Sequence, residues 1–256
     1  MKKVAMFTYS IISYAIAFVS LLLWILSVSH LIPAISIDRP PQMPAGWALL
    51  KNLGLVLMFG LHHSITARKP FKAWITKILP APIERSTFVL LSGILLAILV
   101  FNWEPIGGNI WAIAPGSPLY YFSYAMFFTG WAILFISTFL INHFDLFGLR
   151  QTYLELVGKP YTELTFRITA FYKYVRHPLY LGGIIGLWAT PVMSATHLCF
   201  AILLTGYFVV GTLFEEKDLI RDFGDTYREY SQSTAMLIPF LKSRKKERPE
   251  LIPENK

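Results

Sequence analysis

YVRHPLYLGG, at residues 174–183, and EEKDLIRDFGDTYREY, at residues 215–230, are the two polar stretches that decide the fold. The chain between them, 179–214, is an apolar segment of about 36 residues, close to the roughly 40 that two membrane spans require. Pro191 lies near the middle of this segment and predicts a turn there. We therefore interpret it as a transmembrane helical hairpin that returns both polar stretches to one membrane face. A single long helix kinked at Pro191 is the competing interpretation.

The composition indicates an integral membrane protein. The chain has 256 residues, of which 55% are hydrophobic and only 15% are charged, whereas soluble domains carry about 25% charged residues. The net charge of +8 would suit a nucleic-acid partner. However, the Lys and Arg residues cluster beside apolar runs, as the positive-inside rule expects of a protein in a lipid bilayer. Nucleic acid is therefore not a predicted partner.

The distribution of basic residues predicts the topology. Lys and Arg are frequent at the N-terminus, after the second and fourth apolar runs and in the C-terminal tail, and nearly missing from the first and third connections. Both termini are thus predicted to be cytoplasmic, which requires an even number of crossings. The predicted fold is all-α: a polytopic helical bundle of four spans, a C-terminal transmembrane hairpin and a cytoplasmic amphipathic helix. The predicted spans are 7–31, 47–65, 87–101 and 119–141.

One domain, 1–256, is predicted to contain three regions. They are a four-span N-terminal bundle at 1–142, a cofactor-binding region at 170–232 and a basic tail at 242–256.

The second polar stretch carries groups that suit a binding site. Four of its residues have the spacing of one helix face: Glu216, Phe223, Tyr227 and Tyr230. The predicted hairpin brings that face level with Arg176 and His177, so that a carboxylate, a guanidinium, an imidazole and tyrosines would meet at the membrane boundary. An ordinary amphipathic surface helix is the alternative.

These residues also carry a family resemblance. The patterns Arg-His-Pro-x-Tyr-x-Gly at 176–182, Glu-Glu-x-x-Leu at 215–219 and Phe-Gly-x-x-Tyr-x-x-Tyr at 223–230 resemble the membrane methyltransferases. That group includes isoprenylcysteine carboxyl methyltransferase and phospholipid methyltransferases. The resemblance implies that S-adenosyl-L-methionine binds at the cytoplasmic side of the bundle. The cofactor-binding residues that it implies are Arg176, His177, Pro178, Tyr180, Gly182, Glu215 and Glu216.

The front of the chain narrows the resemblance. GLHHSITAR at 60–68 and PIERST at 82–87 resemble the nurim and NnrU-like proteins. Taken with the C-terminal patterns, the whole chain resembles the bacterial family that methylates methanethiol, a small volatile thiol, to dimethyl sulfide. NnrU-like proteins share the front half, so the front half alone does not establish this activity. The resemblance implies a protein of the bacterial inner membrane.

The implied reaction needs a thiolate, because the thiolate is the nucleophilic form of a thiol. His177 is the first candidate base, with Arg176 beside it as the second predicted catalytic residue. His62, His63 and His143 follow. Either glutamate would suit the amine or ribose of the donor, and Arg176 its carboxylate.

Several questions stay open from the sequence. The spacing of the histidines matches no zinc motif, so no metal is predicted, and nothing in the chain fixes the oligomeric state. Two rival functions also remain. One is methylation of a prenylcysteine or phospholipid, and the other is a non-enzymatic NnrU-like accessory role.

Overall fold

A computed structural model describes residues 1–239 and 241 of the chain. The basic tail predicted at 242–256 lies outside these residues. Two short strands and nine α-helices form the described part, together with three single turns of 3₁₀-helix. In chain order the elements are α1 (Lys2–Ser29), α2 (Ala45–Thr66), α3 (Lys69–Ile75), α4 (Glu84–Asn102), β1 (Asn109–Ala112), α5 (Pro118–Ile141), α6 (His143–Leu146), α7 (Leu149–Leu156), α8 (Pro178–Trp188), β2 (Val192–Ser194) and α9 (Ala195–Ser233).

The prediction of an all-α membrane bundle is confirmed. Within the described residues, five helices are long and apolar enough to cross a membrane: α1, α2, α4 with the 3₁₀ turn before it, α5 and α9. The four predicted spans match α1, α2, α4 and α5, each within a few residues at its ends. The start of α5 shows why such boundaries are readable. Pro118 is its first residue, and the Ser117 hydroxyl accepts a hydrogen bond from the Tyr120 amide.

The C-terminal hairpin is present, and its first arm is shorter than predicted. α8 runs antiparallel to α9, and the Trp188 indole donates to the Thr205 hydroxyl over 3.0 Å. α8 has only 11 residues, a length of about 16 Å. Pro191 explains this early end, because a proline disfavours the helical conformation of the residue before it. After α8 the chain continues as extended backbone into β2. Extended backbone rises about 3.3 Å per residue, compared with 1.5 Å in an α-helix, so fewer residues cover the same distance.

A two-stranded sheet at the hairpin turn was missed by the sequence analysis. β1 pairs antiparallel with β2, and Trp111 lies opposite Met193. Strands of four and three residues carry too few positions for alternation to reveal them. The sheet lies at the opposite end of the bundle from Arg176 and Glu216.

Small residues let the helices approach closely. On α8, Gly182 and Gly186 face Gly130 of α5, so closely that a Cβ on Gly182 would lie 2.6 Å from the Gly130 carbonyl oxygen. This pattern of small residues four apart is typical of packing between membrane helices. Trp24 and Trp131 pack edge to face in the core, with ring centres 4.9 Å apart. Gly182, predicted to bind cofactor, therefore lies where α8 contacts α5.

Candidate functional site

A cavity of about 850 Å³ opens at the end of the bundle that carries Arg176 and His177. Helices α1, α2, α4, α5, α8 and α9 contribute to its wall, together with the chain at 162–167. One part of the wall is apolar and includes Leu21, Phe59 and Leu134. The other part is polar and includes His177 and Glu215. The volume lies in the range of small-molecule sites in proteins.

Beside the cavity, Glu216 is the centre of a buried hydrogen-bond cluster. Its carboxylate accepts from Arg176 through Nε at 2.7 Å and Nη2 at 2.9 Å, a bidentate pair. His177 Nε2 lies 2.7 Å from the same carboxylate, and the Tyr227 hydroxyl donates over 2.8 Å. A carboxylate only accepts, so His177 must carry a proton on Nε2. The convergence of these four groups, predicted from the hairpin, is present in the structure.

The way in which Tyr227 reaches Glu216 differs from the prediction. Their spacing predicted that both lie on one face of a continuous helix, where two residues eleven positions apart are about 16 Å from each other. Instead, α9 breaks at Gly224, whose φ of 57° and ψ of −130° are not helical. The break redirects 225–233, so that the Tyr227 hydroxyl contacts Glu216 directly. The prediction of a single continuous face was therefore wrong. The residue that permits the break is Gly224, because only glycine adopts this backbone conformation readily.

Arg176 also fixes the redirected segment. Its Nη1 donates to the backbone carbonyls of Ser231, at 2.9 Å, and Thr234. The backbone amides of Arg176 and His177 donate to Ala235 and Met236. Nearly all donors of this guanidinium are thus engaged by the protein, and the side chain is buried. Its contacts connect the start of α8 to the end of α9.

The two neighbouring glutamates have different surroundings. Glu215 lines the cavity, and 43% of its side chain is exposed. His177 Nδ1 lies 3.7 Å from its Oε2, and the Tyr180 hydroxyl interacts with the same carboxylate. Glu216, by contrast, is 13% exposed and does not belong to the described cavity wall. Pro178, the first residue of α8, and Gly182 also lie outside the described cavity wall.

Aromatic side chains enclose the polar part of the cavity. Phe166 contacts the rings of Phe223, Tyr227 and Tyr230, with centres 5.1 to 5.7 Å apart. Tyr172 also lines the wall. Burial, and then the nearby Glu215 charge, raise the pKa of the Tyr172 hydroxyl, so it is neutral at ordinary pH. Phe166 was not predicted from the sequence, because the segment around it has no periodicity that would place it against a distant helix.

Arg85 is a second residue that the sequence analysis did not select. It lines the cavity from the first turn of α4, and its guanidinium lies 4.6 Å from the centre of the Phe88 ring. Its Nε donates to the Leu146 carbonyl over 2.7 Å. Within the described part of the chain, no carboxylate lies within ion-pair distance of it. A guanidinium in this setting is suited to bind an anionic group of a ligand.

The remaining candidate histidines lie in three different environments. His143 is held between the Tyr14 hydroxyl at 3.0 Å and the Thr138 hydroxyl at 2.8 Å, and burial lowers its pKa. Both ring nitrogens of His62 are buried and have no partner among the residues described. His63 lines the cavity. No group of three or more His, Cys, Asp or Glu side chains in the described residues is arranged to hold a metal ion.

Comparison with known proteins gives a consistent set of relatives. The chain is 48% identical over 208 residues to the methanethiol S-methyltransferase of Crocosphaera subtropica, covering 80% of each protein. It is 42% identical over 240 residues to the methanethiol S-methyltransferase of Mycobacterium tuberculosis, covering 94% of this chain and 98% of the relative. Nurim of Sus scrofa is 27% identical over 191 residues, or 71% of this chain. No family model matches the chain, and no solved structure matches it.

Proposed function

The chain belongs to the methanethiol S-methyltransferase family, and we propose that it uses S-adenosyl-L-methionine to methylate methanethiol to dimethyl sulfide. The observation that carries the proposal is the match to enzymes of that name over 94% of the chain. S-adenosylhomocysteine is the expected by-product. The rival acceptors, a prenylcysteine or a phospholipid, and the accessory role have no comparable support.

The residues around the cavity fit the proposed donor. S-adenosyl-L-methionine carries a sulfonium, an amine and a carboxylate, together with a ribose and an adenine. The cavity volume of about 850 Å³ suits a ligand of this size. The rings of Phe166, Phe223 and Tyr230 offer faces for the adenine or the sulfonium cation. The bound donor would supply the methyl group, already activated by the positive charge on its sulfur.

Glu215 is the proposed ligand of the donor's amine or ribose. It faces the cavity, whereas Glu216 is already bonded to Arg176, His177 and Tyr227. A carboxylate that is half exposed to a cavity keeps free acceptor positions. His177 and Tyr180 lie on either side of it and complete the proposed contact.

Arg176 and Glu216 are proposed to act on the donor mainly by holding its other ligands in place. Their ion pair fixes His177 at the cavity and closes the redirected segment of α9 over it. Pro178 and Gly182 serve the same arrangement, since they begin α8 and pack it against α5. For the donor's carboxylate we favour Arg85, because most donors of Arg176 already have protein partners.

We propose that the N-terminal bundle at 1–142 and the cofactor-binding region at 170–232 form one functional unit, because they share one site. Arg68 pairs with Asp218, and Lys69 Nζ lies 2.7 Å from Asp222. These ion pairs join the connection after α2 to α9. The protein is integral to the membrane. We propose the bacterial inner membrane as its location, with both termini and the mouth of the cavity cytoplasmic.

One assay tests this proposal. Purified protein is incubated with donor labelled in its methyl group and with methanethiol or a prenylcysteine. Labelled dimethyl sulfide from methanethiol is the expected product. Labelled ester from the prenylcysteine alone would replace the proposed acceptor, and calorimetry without any binding of the donor would overturn the proposed cofactor.

Labelling of single cysteines near residues 2 and 241 in intact cells tests the topology.

A further inference from the structure

The six histidines of the chain all lie in the described residues, and they differ in how their ring nitrogens are engaged. Two of them, His30 and His197, contact each other at the end of the bundle far from the cavity. His62 and His143 are not part of the cavity wall. Only His63 and His177 line the cavity, so a proton acceptor of this residue type must be one of these two.

His177 is poorly suited to accept a proton. Its Nε2 carries the proton that Glu216 accepts over 2.7 Å, and its Nδ1 faces Glu215 at 3.7 Å. Each ring nitrogen is thus directed at a carboxylate, and neither is left for an incoming thiol. The first base chosen from the sequence is therefore a binding group in this arrangement.

His63 has the opposite arrangement. Its Nδ1 lies 3.2 Å from the Ser92 hydroxyl on α4, and its Nε2 has no partner in the part of the chain that the structure describes. When Nδ1–H donates to Ser92, the lone pair of Nε2 is left for the cavity. Unlike those of His62, its nitrogens are not among the buried unpaired atoms. The Ser92 hydroxyl can accept from Nδ1–H, and that hydrogen bond stabilises the tautomer that a base requires.

The surroundings of His63 suit a small apolar acceptor. Its ring stacks on Phe59 with centres 5.5 Å apart and lies 4.9 Å from Phe88. Tyr207 packs against Phe59 from α9 and lines the same cavity. This is the part of the cavity that leads to the apolar wall of α1 and α4. A thiol that arrives through lipid would meet the imidazole there.

We propose that His63 is the catalytic residue that accepts the proton of the thiol. The inference rests on the proposed function. The S–H proton passes to Nε2, and the sulfur electron pair forms the new bond to the methyl carbon. The bond from that carbon to the sulfonium breaks, and its electron pair stays on the donor sulfur. Two neutral thioethers and one imidazolium result, so the single positive charge moves from the sulfonium to His63.

The charged and titratable neighbours of His63 influence this step. Arg85 on α4 and His62 on α2 are close enough to act on its charge, and Tyr207 of α9 packs against the neighbouring Phe59. The positive charge of Arg85 opposes the imidazolium but favours the thiolate beside it. Glu215 is the other candidate base in the wall. Its carboxylate already lies between His177 Nδ1, 3.7 Å away, and the Tyr180 hydroxyl, so among the described residues it is engaged where His63 Nε2 is not.

The test compares His63→Gln with the wild-type protein on two small thiols that differ in acidity, methanethiol and the more acidic 2,2,2-trifluoroethanethiol. Loss of a general base is expected to lower kcat/KM for methanethiol by about 10²- to 10⁴-fold near pH 7. The loss should be much smaller for the acidic thiol, which supplies its own thiolate. It should also shrink as the pH rises. A merely structural role of His63 would lower both rates equally.

A second readout needs no donor. Trifluoroethanethiol added to the unchanged protein should produce thiolate absorbance in the far ultraviolet, and His63→Gln should abolish it. His62→Gln is the matched control on the same helix and should retain rate and absorbance. If His63→Gln does not insert into the membrane, Ser92→Ala tests the same proposal. It should lower kcat/KM less than His63→Gln does, and again more for methanethiol than for the acidic thiol.

The outcomes separate this inference from the proposed function. If the unchanged protein makes no dimethyl sulfide, the proposed function fails and the inference with it. If it does, and His63→Gln stays within about threefold of it on methanethiol, only the inference is overturned. An equal loss on both thiols, with normal donor binding by calorimetry, overturns it as well.

Discussion

The two ends of the helical bundle both carry buried polar clusters, and in the described residues the cavity of about 850 Å³ borders the cluster around Glu216. At the far end, His30 Nε2 lies 3.1 Å from His197 Nδ1, and His197 Nε2 lies 2.9 Å from the Leu187 carbonyl. Asp38 completes this cluster through His30 and Ser194. At the cavity end, Glu216 is satisfied in the same way, while Glu215, His63 and Arg85 keep atoms that have no partner among the residues the structure describes.

The comparison shows that a buried polar residue is not by itself a sign of function. In the far cluster each group has a protein partner, which is what stability requires of a buried polar group. It joins the end of α1 to the turn of the hairpin and leaves little for a ligand. At the cavity end the satisfied groups surround unsatisfied ones. The unsatisfied groups are therefore the ones to which we assign binding and chemistry.

The largest effect is expected from breaking the satisfied cluster at the cavity end. Glu216→Gln removes the charge that neutralises Arg176 and leaves a buried cation without its pair. Such losses cost about 3–5 kcal/mol. Donor binding should be lost as well, because the Gln amide keeps one acceptor oxygen where the carboxylate offers two to Arg176, His177 and Tyr227. Thermal unfolding in detergent and calorimetry with the donor measure both. A variant with unchanged stability would show that Glu216 does not organise this end.

A smaller and more selective effect is expected from Glu215→Gln. This side chain is part of the cavity wall, and its ion-pair contact within the described residues is with His177 at 3.7 Å. Loss of one charged hydrogen bond to the donor costs about 1.5–3 kcal/mol, or roughly 10- to 100-fold in Kd. The melting temperature without donor should stay the same. If donor affinity is unchanged in Glu215→Gln and falls in Glu216→Gln without loss of stability, our assignment of the two glutamates is reversed.

The backbone of α9 provides the next test. At Gly224 an alanine would meet no other atom within 4 Å, so any cost comes from its φ of 57° and ψ of −130°. Strain of this kind costs about 1–3 kcal/mol. Gly206→Ala is the matched control, since Gly206 also has open space but lies in regular helix. It should be neutral or slightly stabilising. Equal melting temperatures for the two variants would show that the backbone conformation at Gly224 does not contribute to stability.

The sequence predicted much of the fold, because long apolar helices and basic loops are local signals. It also brought Arg176, His177 and Glu216 together, since a hairpin returns the chain to the same level. It did not separate Glu215 from Glu216, because neighbours on a helix differ by about 100° in direction and the partner surface was unknown. Arg85 and Phe166 were missed for a related reason. Their importance depends on what lies across the cavity, and no local pattern reports that.

The smallest effect is expected at the far end of the bundle, as a loss of folding stability at low pH. The hydrogen bond from Lys51 Nζ, 2.8 Å away, is the main cause that lowers the pKa of the Glu104 carboxyl below 4.5, and the Gln42 amide adds to it. A carboxyl with a lowered pKa stabilises the fold fully above its unfolded pKa and loses this contribution as the pH falls through the folded value. The unchanged protein should therefore lose up to about 1 kcal/mol below pH 4.5, since Lys51 is partly exposed. Glu104→Gln should abolish that part of the acid dependence without changing donor affinity at pH 7, as measured by melting in detergent and by calorimetry. A change in donor affinity would contradict the separation of the two ends, because it would show that Glu104 at the far end communicates with the cavity.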